Sequence, residues 1–119
     1  MDRDNQIAQL TKSFAKRIIN LYSFLTNEKR EFFISKQVMR SGTSIGANVR
    51  ESIYAQSRAD FISKMSIALK ESSETEYWLE LLFESGVIDE NSFKSIYNDN
   101  SRISATLINI IKRTKESVS

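Results

Sequence analysis

The chain has 119 residues, long enough to bury a core, and its 40% hydrophobic and 27% charged residues are the composition of a soluble globular protein and not of a disordered tract. It has no cysteine and no histidine, which removes disulfides, thiol nucleophiles, imidazole acid–base chemistry and the usual zinc sites. Proline is absent and glycine occurs three times, so residues suited to turns are scarce and long helices are expected, while a net charge of +2 is too small to argue nucleic-acid binding by itself.

Asp2 or Asp4 can cap a first helix whose apolar stripe is Ile7, Leu10, Phe14, Ile18, Leu21 and Leu25, ending near Thr26. Thr26 and Asn27, followed by Glu28, read as the start of a second helix over about 28–56, some 42 Å long at ~1.5 Å per residue. Its core stripe is Ile34, Val38, Ser41, Ile45, Asn48 and Ser52. A second stripe, Met39, Gly42, Gly46, Val49 and Ile53, runs beside the first. A glycine inside a helix costs roughly 1 kcal/mol relative to alanine, so two of them mark a close approach of backbones. That approach is either to another helix of the same bundle or to another subunit, and both readings are open. Asn48 is expected to be buried and bonded to Ser72, Thr75 or Glu74. Charged Arg40, Arg50 and Glu51 argue against a membrane span.

Ser57 and Asp60 resemble a capping box that opens a third helix. There, Phe61, Met65, Ala68, Ser72, Thr75, Leu79 and Leu82 keep steps of four and three, a heptad seam. Gly86 is suited to ending this helix in the left-handed conformation, and Asp89 to capping a fourth, with Ile88 placed to staple onto Phe93. Phe93, Ile96, Asn100, Ile103, Leu107, Ile110 and Thr114 form its stripe. Four helices joined by loops of about two to four residues must lie antiparallel to their neighbours. The expected fold is all-α, an up-down-up-down four-helix bundle forming a single domain over residues 1–119.

Chemistry is sparse. Without histidine the Glu-x-x-His di-metal site of some bundles cannot be built; Glu71, Glu74, Glu76, Glu80 and Glu84 read as a solvated face, with Glu74 half-buried against an arginine such as Arg40. No phosphate loop or nucleophile–base pair is present, so neither an enzyme nor a cofactor or metal is expected. Off-seam Tyr22, Phe33, Tyr54, Phe83 and Tyr97 exceed what a thin bundle can bury, which favours self-association. The stretch MDRDNQIAQL has no apolar signal core, so a cytoplasmic location is the default.

RSGTSIGANVRES over 40–52 and FISKMSIALKESSETEYWLELL over 61–82 resemble the small bacterial four helix bundle proteins, also called 23S rRNA intervening-sequence proteins. The resemblance covers nearly the whole chain and is strongest at Ser44, Ile45, Ala47, Asn48, Glu51, Ala68, Leu69, Glu74 and Leu79. Gly46 stands where the family commonly has proline, and Ser52 where it often has glycine. A related group, the accessory protein of diversity-generating retroelements, looks like the same bundle as a basic pentameric ring that binds nucleic acid and a reverse transcriptase. The resemblance thus implies a homo-oligomer, a pentamer, with RNA or DNA as partner. Because glycine lets helices approach closely, the Met39, Gly42, Gly46, Val49, Ile53 stripe or the off-seam aromatics are expected near the subunit contact. A protein-interaction scaffold without nucleic-acid contact is the alternative.

Charge polarity follows from the topology alone. One end of such a bundle collects Arg3, Lys12, Arg50, Arg58, Lys64, Lys112, Arg113 and Lys115 against Asp2, Asp4, Glu51, Asp60 and Glu116. The other collects Glu28, Glu31, Glu76, Glu80, Glu84, Asp89 and Glu90 against Lys29, Arg30 and Lys94. The basic end is the expected grip on phosphates, with Lys36 and Arg40, near mid-bundle, as a second candidate.

Overall fold

The computed structural model describes residues 2–117, with side chains from Gln6 onward, so the side chains of Asp2, Arg3 and Asp4 lie outside the described residues. Four helices follow in order: α1 Asp2–Asn27, α2 Ile34–Ser52, α3 Arg58–Glu84 and α4 Glu90–Glu116. Cross-helix contacts fix the antiparallel order. Gly42 meets Ile18 and Gly46 meets Thr11 between α1 and α2, Arg40 reaches Glu74 between α2 and α3, and Tyr97 reaches Glu76 between α3 and α4. Arg17 on Asp99 joins α1 to α4 and closes an elongated up-down-up-down bundle of 52 × 21 × 20 Å.

The expected stripes form the core. Ile7, Phe14, Ile18 and Leu25 of α1, Val38 and Ile45 of α2, Met65, Ala68, Leu79 and Leu82 of α3, and Ile96, Ile103, Leu107 and Ile110 of α4 are buried together. Within this core runs a polar layer across three helices. Thr75 and Ser41 share a hydroxyl–hydroxyl bond of 2.8 Å, and Ser72 donates to Asn100 Oδ1 at 2.8 Å while Asn100 Nδ2 returns a bond to the Ser72 carbonyl at 3.0 Å. A lost partner here would leave a buried polar atom unsatisfied, at about 1–3 kcal/mol, so the layer penalises a slip of α3 against α2 or α4.

Two expected features are corrected. The second helix covers 34–52 and not 28–56, about 28 Å of axis at ~1.5 Å per residue. Thr26 and Asn27 belong to the last turn of α1, where their side chains bond to the Tyr22 carbonyl and the Ser23 hydroxyl. The chain then turns through Arg30, whose φ of 54° is left-handed. The Glu31 carboxylate accepts from the backbone N–H groups of Phe33, Ile34 and Ser35 and so caps α2. At its other end α2 tightens into i→i−3 bonds from Ile53, Tyr54 and Ala55. The loops accordingly span 28–33, 53–57 and 85–89, longer than expected.

The remaining punctuation follows the sequence. Ser57 accepts from the Asp60 N–H while the Asp60 carboxylate accepts from the Gln56 N–H, Gly86 ends α3 at φ 77°, and Asp89 accepts from the Ser92 N–H at 2.7 Å. Phe93 stacks on Phe83, ring centroids 4.5 Å apart, and holds α4 to the end of α3.

Candidate nucleic-acid interface

From Asn5 to Asn27 and again from Phe32 to Arg50 the sequence contains no aspartate or glutamate, and from Glu71 to Glu84 it contains no lysine or arginine. The fold turns these runs into faces. Of the six cations on the first two runs, Arg17 extends sideways to Asp99 of α4 at 2.6 Å, and Arg40 to Glu71 and Glu74 of α3. Lys12, Lys16, Lys36 and Arg50 are exposed and, among the described residues, make no ion pair. Lys12 and Arg50 flank a shallow groove of about 270 Å³ between α1 and α2, with Ala8, Ala15, Thr43, Gly46 and Ala47 as its floor. Such a floor lets a partner approach both backbones between two cations.

The other cations of the expected basic end divide. Arg58 opens α3, and Lys112, Arg113 and Lys115 lie exposed in the last two turns of α4, where they complement the helix dipole. Lys64 is bound to Glu51 at 3.0 Å, which raises its pKa and takes it out of the unpaired set. Lys36 sits in the first turn of α2 and not near mid-bundle, because the helix starts at Ile34. Arg40 is neutralised. Its bonds to Glu74 raise its own pKa, and they hold the Glu74 carboxyl below the usual range, helped by the Trp78 indole N–H at 3.0 Å.

The glycine stripe is placed within the chain. A Cβ on Gly42 would stand 2.7 Å from Ile18 Cγ1, and one on Gly46 3.4 Å from the Thr11 carbonyl oxygen. Gly42 and Val49 are buried, Met39 and Gly46 half-buried, and only Ile53 of that stripe is exposed. Close approach is therefore used between α1 and α2, most tightly at Gly42, while Met39, Gly46 and Ile53 keep part of their surface open. Asn48 is likewise corrected. It is half-buried and its amide donates to the Ser44 carbonyl of its own helix, because Ile45, Val49 and Ser52 take the inward positions around it. Glu74 is half-buried and paired with Arg40, as expected.

Sequence reasoning passed over three features. Asn100, not Asn48, is the buried amide; its place on the α4 stripe carried that signal. Glu31 as a cap had no local signature. The sideways division of charge was legible in the acid-free and base-free runs, but only the helix pairing shows that Lys12 and Arg50 line one groove. At the far end Phe32 and Phe33 are 51% and 73% exposed on the loop that Glu31 fixes, beside a cavity of about 620 Å³ lined also by Lys29, Gly86 and Val87. No group of three acidic side chains able to hold a metal ion occurs among the described residues, and no described helix is long and apolar enough to cross a membrane.

The profile of the 23S rRNA-intervening sequence protein family matches residues 3–109. The chain belongs to that family. A crystal structure of a protein of unknown function from the S23 ribosomal protein family, from Bacteroides thetaiotaomicron VPI-5482, is similar at 57% identity and a TM-score of 0.91, covering 92% of this chain and 98% of that one. No curated protein of assigned function matches the chain. For this intervening-sequence protein the comparisons therefore supply family and fold, and the chemistry has to be read from its own surface.

Proposed function

We propose that this protein is a non-catalytic, cytoplasmic, single-domain bundle that assembles as a homo-oligomer, a pentamer by family resemblance, and binds RNA or DNA through its phosphates. The observation that carries the reading is a set of cations at one end of the bundle that make no ion pair among the described residues. Lys12 and Arg50 flank the α1–α2 groove, and Arg58, Lys112, Arg113 and Lys115 stand at the adjoining ends of α3 and α4. Such contacts read no sequence, and they release counterions, so binding falls steeply with salt.

The test is fluorescence anisotropy with labelled single- and double-stranded RNA and DNA across a salt series. Wild type is expected to bind at low salt with a linear decline of log affinity against log salt. The variant Arg50→Glu/Arg58→Glu/Lys112→Glu/Arg113→Glu is expected to lose binding while keeping its helicity and mass. Undiminished binding by that variant, or none by wild type at low salt, overturns the reading. A protein-interaction scaffold is the second reading. It is favoured by Phe32 and Phe33, exposed on a loop held rigid by three backbone bonds to Glu31.

A further inference from the structure

The loop that joins α2 to α3 carries Tyr54, which at 77% is the most exposed of the large apolar side chains among the described residues. Its backbone is fixed. The N–H groups of Ile53, Tyr54 and Ala55 bond to the carbonyls of Arg50, Glu51 and Ser52, so the chain keeps a helical turn past the end of α2. Ser52 is the last buried position of that helix, and Tyr54, two residues on, faces away from the core. Gly46 meets Thr11, so Lys12, Arg50 and Tyr54 succeed one another toward this end of the bundle.

Charge around the ring is not balanced. Glu51, three residues before it, is taken by Lys64 at 3.0 Å, and the Asp60 carboxylate accepts from the Gln56 N–H. Arg50 and Arg58, four residues to either side, are exposed and make no ion pair among the described residues. The other exposed rings differ. Phe24 and Phe32 each have a cation of this chain over the ring, Lys29 at 5.9 Å and Arg30 at 5.3 Å from the centroid. Tyr77 makes a T-shaped contact with Trp78 in a stretch without cations, and the Phe33 N–H donates to the Glu31 carboxylate. Tyr54 has neither a ring nor a cation against it among the described residues, yet an unpaired arginine on each side.

We propose that this end of the protein takes an unpaired stretch of RNA or DNA, with the Tyr54 ring stacked on one base and Arg50 and Arg58 holding the phosphates on either side of it. Cations alone accept duplex and single strand, since both present phosphates. A ring stacks only on a base face that no neighbouring pair covers. Every base has such a face, so the contact selects strandedness and not sequence. The inference rests on the nucleic-acid part of the proposed function and adds the class of strand to it.

Fluorescence anisotropy at low salt tests it, with labelled oligouridylate and oligothymidylate, the same strands annealed to their complements, and a deoxyribose-phosphate strand without bases. Circular dichroism verifies folding. Wild type is expected to bind the base-bearing single strands more tightly than the duplexes, and about tenfold more tightly than the abasic strand, the size of one base–aromatic stack. Tyr54→Ala is expected to lose that tenfold on the base-bearing single strands and nothing on the duplexes or the abasic strand, and Tyr54→Trp to keep it. The salt slope should be unchanged in Tyr54→Ala, which removes no phosphate contact, and reduced in Arg50→Ala. Undiminished single-strand affinity in Tyr54→Ala, an equal loss on every strand, or a wild type that prefers the duplex overturns the stacking proposal while the phosphate grip stands. A wild type that binds none of these strands overturns both.

Discussion

Adding one methyl group at Gly42 and one at Gly46 is expected to change stability in opposite directions. Alanine is favoured over glycine in a helix interior by about 1 kcal/mol, and both positions receive that gain. At Gly42 the new Cβ would stand 2.7 Å from Ile18 Cγ1 and 3.0 Å from Cγ2 and Cδ1. Ile18 is fully buried, and Cγ1 and Cγ2 are attached to its Cβ, so the clash cannot be relieved by swinging the end of a flexible chain. Overpacking of this kind costs about 1–3 kcal/mol, leaving Gly42→Ala destabilised by about 1 kcal/mol once the helix gain is counted. At Gly46 the nearest atom is 3.4 Å away, an ordinary contact, and the full gain of about 1 kcal/mol is kept. For a domain of this size each kcal/mol moves the melting temperature by about 4 °C. Thermal unfolding followed at 222 nm, at one fixed protein concentration, should therefore show Gly42→Ala below wild type and Gly46→Ala above it. In a double-mutant cycle, Gly42→Ala/Ile18→Ala should cost less than the two single changes added, because the new methyl occupies space vacated by Ile18. A Gly42→Ala protein that melts higher than wild type would refute the close-approach argument.

The buried amide offers a second contrast. Asn100→Ala leaves the Ser72 hydroxyl without its partner in the core and is expected to cost about 1–3 kcal/mol, whereas Asn48→Ala, losing one bond within its own helix, should change the unfolding free energy measured in urea by less than about 0.5 kcal/mol. Glu31→Ala removes the acceptor of three N–H groups at the start of α2 and is expected to lower stability by about 1–2 kcal/mol, with Glu31→Gln milder because it retains one acceptor oxygen; equal losses in urea titrations would count against the cap. Glu74 titrates below its unfolded value, so the unfolded chain takes up that proton first. The contribution of the Arg40–Glu74 pair is complete above the ordinary carboxylate range and disappears as pH falls through the lowered pKa. Melting temperature measured from neutral pH downward should fall less steeply for Glu74→Gln than for wild type, and identical slopes would remove Glu74 from the account.

Helix number, type and inward stripes were determined by the sequence alone. Steps of three and four over Ile7 to Leu25, Phe61 to Leu82 and Phe93 to Thr114 can be satisfied only by helices burying one side, and Ser57, Gly86 and Asp89 mark ends through bonds made within a few residues. Interactions that span few residues are legible in the order of those residues. The start of α2 was not, because it depends on Arg30 adopting a left-handed conformation and on a glutamate side chain folding back on the backbone, and neither leaves a periodic trace. Tertiary structure also decided what the glycines are for. Periodicity says that Gly42 and Gly46 share a stripe, but the identity of the surface facing that stripe, Ile18 and Thr11 of the same chain, is a property of packing. The same holds for charge. The runs lacking carboxylates or cations are visible in the sequence, yet Arg17 and Arg40 are neutralised by residues 82 and 34 positions away, and only that cross-helix pairing separates them from Lys12, Lys16, Lys36 and Arg50. Coulomb energy depends on distance in space, which the order of residues along the chain does not contain until the helices are packed.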